Sequence, residues 1–84
     1  MSLRDLLQQD VLVIRYKGTN LQQQIKTKAN IQPRKSFFGP DVDIQKGDVV
    51  RVLVSGEERK VADVNFIYKG NTVHHKEVRL VSVY

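Results

Sequence analysis

The stretch Ser36–Phe66, SFFGPDVDIQKGDVVRVLVSGEERKVADVNF, decides the fold. Gly39-Pro40, Lys46-Gly47-Asp48 and Ser55-Gly56-Glu57 cut it into short pieces, because glycine and proline punctuate regular structure. Between these breaks lie β-branched runs of strand length. Val49–Val54 reads as one strand, and Glu58–Tyr68 reads as the second strand of the same hairpin. Gly47 is expected at a positive φ, which costs glycine little. Val61 and Val64 have opposite parity, so both can face a core only if a bulge lies near Asp63.

Working outward, Asp10–Lys17 (DVLVIRYK) is a strand closed by the Gly18-Thr19-Asn20 turn. Leu21–Gln32 then alternates cleanly. Leu21, Gln23, Ile25, Thr27, Ala29 and Ile31 share one face, and Gln22, Gln24, Lys26, Lys28, Asn30 and Gln32 share the other. Period two over this length means one buried and one wet face. Pro33 ends that run, and Lys35–Phe38 can pair briefly. Lys69-Gly70-Asn71 reverses the chain into Val73–Val83. Ser2–Gln9 has Leu3, Leu6 and Leu7 at helical spacing behind a serine cap, so a short helix, or a tag-adjacent arm, is expected over 1–9. The stripe needs a partner and is expected to dock over an open end or edge. The expected fold is all-β and mainly antiparallel, a single domain over 1–84 forming a small barrel or sandwich. The expected core is Leu12, Ile14, Ile25, Ile31, Val50, Val52, Val61 or Val64, Phe66, Val78 and Leu80.

The 84 residues contain no cysteine, so neither disulfides nor thiolate-held metal can reinforce the fold, which fits a reducing, cytoplasmic setting. No apolar run reaches the length of a membrane span, and Arg4 and Asp5 interrupt the leucines where a signal peptide would be apolar. The net charge of +5 is unevenly spread. No acid lies between Val11 and Pro40, where Arg15, Lys17, Lys26, Lys28, Arg34 and Lys35 make six positive charges, whereas seven basic residues balance seven acids from Asp41 onward. A one-sided basic segment suits a polyanion or an acidic partner surface. Lysine on an exposed strand also simply discourages edge pairing.

Nothing in the chain reads as catalytic. Nucleophilic catalysis needs a nucleophile, a base and an orienting group, and none of the four serines sits in such a setting. His74 and His75 are adjacent, so on a regular strand they point to opposite faces and are read as an exposed pair at a hairpin end rather than as metal ligands. Asp41, Asp43 and Asp48 do not make a calcium loop. Counting from Asp41, position 5 is Gln45, position 6 is Lys46 and position 12 is Val52. Turn chemistry accounts for these aspartates. Two consecutive phenylalanines in an alternating segment place one in the core, leaving Phe37 as the single candidate for base stacking beside Arg34 and Lys35.

The runs RKSFFGPDVDIQKGDVV (34–50), KVADVNF (60–66) and HHKEVRL (74–80) resemble a small β module of bacterial and phage-associated proteins with no known activity. In that module a K-x-F-x-P-D-x-x-I-x-x-G-D turn leads into a hairpin, a V-x-D-x-x-F strand and a closing H-x-x-V-x-V strand. The likeness covers about residues 27–81 and departs at the short Ser55-Gly56 turn and the short Lys69–Thr72 loop. It implies the fold and transfers no site. The Lys-Gly-Asp turn is also similar to those of SH3-like and OB-type barrels. The expectation is therefore a non-enzymatic binding or assembly module of a prophage or mobile element, without cofactor, metal, small-molecule substrate or membrane. It would engage a protein partner or its own copies through Arg15, Lys17, Lys26, Lys28, Arg34, Lys35 and Phe37. The alternative is a single-stranded nucleic-acid-binding domain of OB or SH3-like type.

Overall fold

The computed structural model describes residues 8–83. The described residues form six strands: β1 (Gln9–Lys17), β2 (Asn20–Asn30), β3 (Ser36–Phe38), β4 (Val49–Val52), β5 (Glu58–Lys69) and β6 (Thr72–Ser82). They close into a barrel in the order β1-β2-β3-β6-β5-β4. Every neighbouring pair is antiparallel. The all-β expectation holds, and of the two architectures weighed the barrel is the one formed. Among the described residues there is no helix. Most of the helix expected over Ser2–Gln9 lies outside the described residues, and its last residue, Gln9, begins β1 instead.

Two long hairpins supply most of the sheet, and two short strands join them. The β1–β2 ladder runs from Gln9↔Ala29 to Lys17↔Asn20, while β4 meets β1 only from Val11 to Ile14 and β3 meets β2 only at Ala29 and Asn30. Likewise β5 and β6 pair from Arg59↔Ser82 to Lys69↔Thr72, but β4 reaches only Glu58–Lys60 and β3 only Lys76–Val78. The rest of each hairpin is a two-stranded arm. Because directions alternate around the barrel, both arm tips leave from the same end. Gly18 (φ 63) and Gly70 (φ 65) each lead a two-residue turn whose second residue keeps a negative φ. Glycine in the first central position is what that hairpin geometry requires.

The crossing from β3 to β4, residues 39–48, covers that same end. Ile44 is buried and Val42 packs against the core. Gly47 turns the chain at φ 95. Its N–H donates to the Val61 carbonyl (2.9 Å), and the Val61 N–H donates to the Asp48 carbonyl (2.8 Å), tying the crossing to β5. The Lys76 ammonium, which faces inward, donates to the Val42 carbonyl.

The core consists of Val11, Val13, Ala29, Phe38, Ile44, Val50, Val52, Val61, Val78 and Leu80, with Ile31, Val42 and Val64 packed against it. Val61 and Val64 both turn inward because the register slips between Val61 and Asp63, the bulge that their parity demands. Three expected core residues are corrected, the first being Ile25, which is only half-buried and outside this cluster. In β1 the lumen takes Val11 and Val13, leaving Leu12 half-buried on the outer face. Ile14 is buried as expected, yet outside this cluster, on the outer side with Val49 as its cross-strand partner. Phe66 is 51% exposed, because it lies on the β5–β6 arm beyond the reach of β4. The strand after Gly47 stops at Val52, and Leu53 and Val54 belong to the turn.

Candidate binding face

Side chains opposite one another in an antiparallel ladder share a face. The register therefore places the outer residues of β2, β3 and β6 on one surface. Lys26, Lys28 and Asn30 alternate along the outer side of β2, with Asn30 opposite Phe37 and Phe37 opposite Glu77. Phe38 is buried, so of the two adjacent phenylalanines only Phe37 is presented. It is half-buried, with the His75 ring 5.7 Å away and tilted by 60°. The Lys35 ammonium reaches the Glu77 carboxylate at 3.2 Å.

Two depressions flank the Phe37–Glu77 row. The larger, about 350 Å³, is lined by Gln8, Asn30, Phe37, Gly39, His74 and His75. The smaller, about 120 Å³, is lined by Arg34, Lys35, Asp63, Asn65, Glu77 and Arg79. Arg79 is paired with Asp63, its Nε at 2.9 Å from the carboxylate. Among the described residues Lys26, Lys28 and Arg34 make no ion pair. The face therefore carries three cations without ion pairs beside a recess and one aromatic ring, with Asp10 standing opposite Lys28 in the β1–β2 ladder.

The other sequence candidates fall elsewhere. Lys17 sits at the tip of the β1–β2 arm. Arg15 is built into an internal cluster. Its Nε and Nη2 donate to the two Asp48 oxygens at 3.0 Å each, and Nη1 and Nη2 donate to Asp43 at 3.3 and 3.1 Å. Gln23 adds a bond to Asp43 at 2.9 Å, and the Gln45 N–H donates to Asp48 at 2.9 Å. The bonds from Asp48 and Asp43 raise the Arg15 pKa further, and the bond from Arg15, followed by that from Gln23, holds the Asp43 carboxyl below the usual aspartate range. This cluster locks the crossing onto the β1–β2 arm, and it keeps Arg15 from the binding face. Asp43 and Asp48 thus hold Arg15, Asp48 also accepting from the Gln45 N–H, while Asp41 lies exposed in the turn after Gly39; among the described residues no group of three or more His, Cys, Asp or Glu side chains is arranged to hold a metal.

The histidine pair departs from its sequence reading. The ladder slips between Ile67 and Tyr68, so that Ile67 faces His75 while Tyr68 faces Val73, and His74 is the extra residue. The rings, expected on opposite faces, meet with Nδ1 atoms 2.8 Å apart. The His75 side chain is only 20% exposed. No signal in the sequence marks that slip; only the pairing register shows it.

Among the described residues β3 borders β2 only at Ala29 and Asn30 and borders β6 only at Lys76–Val78, so β2 has a single strand neighbour over Asn20–Lys28 and β6 a single one over Thr72–His75. Among the described residues no helix is long and apolar enough to cross a membrane. No known protein family, curated protein or solved structure matches the chain.

Proposed function

We propose that the chain is a non-catalytic binding or assembly module whose outer β2–β3–β6 face takes an acidic protein surface. The observation that carries this reading is that Lys26 and Lys28 continue the outer row of β2 that leads through Asn30 to the half-buried Phe37, with Arg34 lining the smaller recess, and that none of the three makes an ion pair among the described residues. Other lysines without ion pairs are dispersed. Lys17 and Lys69 lie at the arm tips, Lys46 in the crossing, and Lys60 on the β4–β5 side. Aromatic residues and arginine are the anchors on which protein interfaces concentrate affinity, and surrounding charges steer the encounter. The phage or mobile-element setting belongs to the same proposal, on the strength of the resemblance over residues 34–50, 60–66 and 74–80.

A single-stranded nucleic acid is the second reading, favoured by the presence of an aromatic ring on the cationic face. Sequence-tolerant strand binding stacks successive bases on several rings. This face presents Phe37 alone, already engaged by His75, so the protein partner is preferred.

Light scattering combined with salt titrations against single- and double-stranded DNA tests the choice. The preferred reading expects a discrete oligomer, or a monomer that binds an acidic protein surface, with no steep DNA binding. Three cations released from a single strand would give a log–log salt slope of about −2. A monomer showing such a slope, lost in Lys26→Glu with Lys28→Glu, would overturn the preferred reading in favour of the second.

A further inference from the structure

His74 and His75 are consecutive, and only a break in the strand's alternation lets their rings meet. The slip opposite Ile67 and Tyr68 provides it, since a bulge re-aims the side chain of the extra residue. The rings stand edge to face, their centroids 5.1 Å apart, with the two Nδ1 atoms 2.8 Å from one another. The geometry points to a chelate in which both Nδ1 atoms bind one divalent transition metal of the tetragonal class, copper(II) or nickel(II), with water completing the coordination.

Three observations carry the assignment. The first is the bite. With metal–imidazole bonds of about 2.0 Å, donors at right angles stand about 2.8 Å apart, whereas tetrahedral donors stand about 3.3 Å apart. The two Nδ1 atoms share a hydrogen bond at 2.8 Å, and replacing its proton with a metal would set them at adjacent corners of a square without moving the rings. Charge is the second. Nε2 of His75 stands 3.7 Å from a Glu77 oxygen, beyond hydrogen-bond distance but near enough for the carboxylate charge to favour a cation on the ring. Glu77 is itself held by Lys35. Room is the third. The pair opens onto the depression of about 350 Å³, where Asn30 and Gln8 offer polar neighbours to metal-bound water. Two imidazoles without a third charged donor make an open, exchangeable site, not a closed structural one. The assignment stands whether or not the cationic face takes a protein partner.

The probe is copper(II) alone, titrated into the tag-free full chain near neutral pH and followed by calorimetry and electron paramagnetic resonance. One equivalent is expected, with a tetragonal signal showing two nitrogen ligands. Zinc(II) should bind at least tenfold more weakly. His74→Gln and His75→Gln should each weaken copper binding tenfold or more, and Glu77→Gln should weaken it less, by removing a nearby negative charge. Paramagnetic broadening in the unmodified chain gives a readout that no folding defect can obscure, and it should centre on His74, His75 and Phe37. Copper affinity unchanged in both histidine variants, broadening centred elsewhere, or zinc bound as tightly as copper would each overturn the assignment.

Discussion

The closed girdle of the barrel and the two arms above it are built from the same kind of strand, yet they treat their apolar residues differently. In the girdle, where each strand has a neighbour on both sides, Val11, Val13, Phe38, Val50, Val61 and Val78 are sealed. On the arms, Phe66 and Tyr68 continue the alternation of β5 but stay substantially exposed, and so do Tyr16 and Leu21, which a register slip after Arg15 brings opposite one another. Period-two patterning thus states which face a residue takes. Whether that face is covered depends on how far the short strands β3 and β4 extend.

The largest test of that contrast substitutes one phenylalanine in each region. Phe38 is 2% exposed at the junction of β2, β3 and β6, so Phe38→Ala should cost about 3–5 kcal/mol through lost transfer energy and an unfilled cavity. Phe66 covers little besides the Lys76 ammonium, which lies 5.3 Å from its ring centre, so Phe66→Ala should cost about 1 kcal/mol or less. Urea unfolding of both variants measures the difference. Equal losses would mean that the arms are packed as tightly as the girdle.

The next test falls where the β1–β2 arm leaves the girdle. The Arg15 side chain is 16% exposed and that of Asp48 only 3%. Arg15→Met would leave a buried aspartate without its cation, a defect that costs about 3 kcal/mol when one partner of a buried pair is removed. The residual exposure of the guanidinium places the expectation at the low end of that range. Arg15→Met paired with Asp48→Leu should recover much of the loss, because replacing both partners with apolar groups removes the uncompensated charge. Failure of the double variant to recover would show that the bond from the Gln45 N–H to Asp48 matters more than the ion pair.

How far the sequence could be read follows the same division. The alternation of Leu21–Gln32 put Gln23, Ile25, Thr27, Ala29 and Ile31 on the inner face, where the structure has them, but Leu21, assigned to the same face, is exposed because the ladder slips after Arg15. The bulge near Asp63 was legible because two valines of opposite parity made an arithmetic demand. The inner face of β1 was not, because Val11, Leu12, Val13 and Ile14 are apolar without interruption and give no phase. Ile44 escaped because it plugs the barrel end from within a turn-rich segment, where strand periodicity says nothing. Phe66 was misplaced because its parity was right and its cover was missing. Of the candidate face, Lys26, Lys28 and Phe37 were legible as outward residues. Arg15 was not legible as internal, since its partners Asp43 and Asp48 lie 28 and 33 positions away in sequence. The meeting of His74 with His75 depends on a register slip that leaves no mark in composition.

Asp43 offers the finest probe of the junction between arm and crossing. Its carboxyl is held below the usual aspartate range by bonds from Arg15 and then Gln23, so the folded state favours the ionised form. A group whose folded pKa is lowered stabilises the fold fully above its unfolded value and loses that contribution as pH falls through the folded value. The unfolded aspartate titrates near 3.9, so the loss should begin as pH drops below about 4. Asp43→Asn should therefore be less stable than the unmodified chain at neutral pH, and the two unfolding curves should converge as pH falls below that point. The effect should be the smallest of the series, because Asp43 is half-exposed and exposed pairs are weakened by solvent. Added salt should narrow the difference at neutral pH. A gap that stayed constant from neutral pH down to strong acid would mean that Asp43 acts through the shape of the crossing and not through its charge.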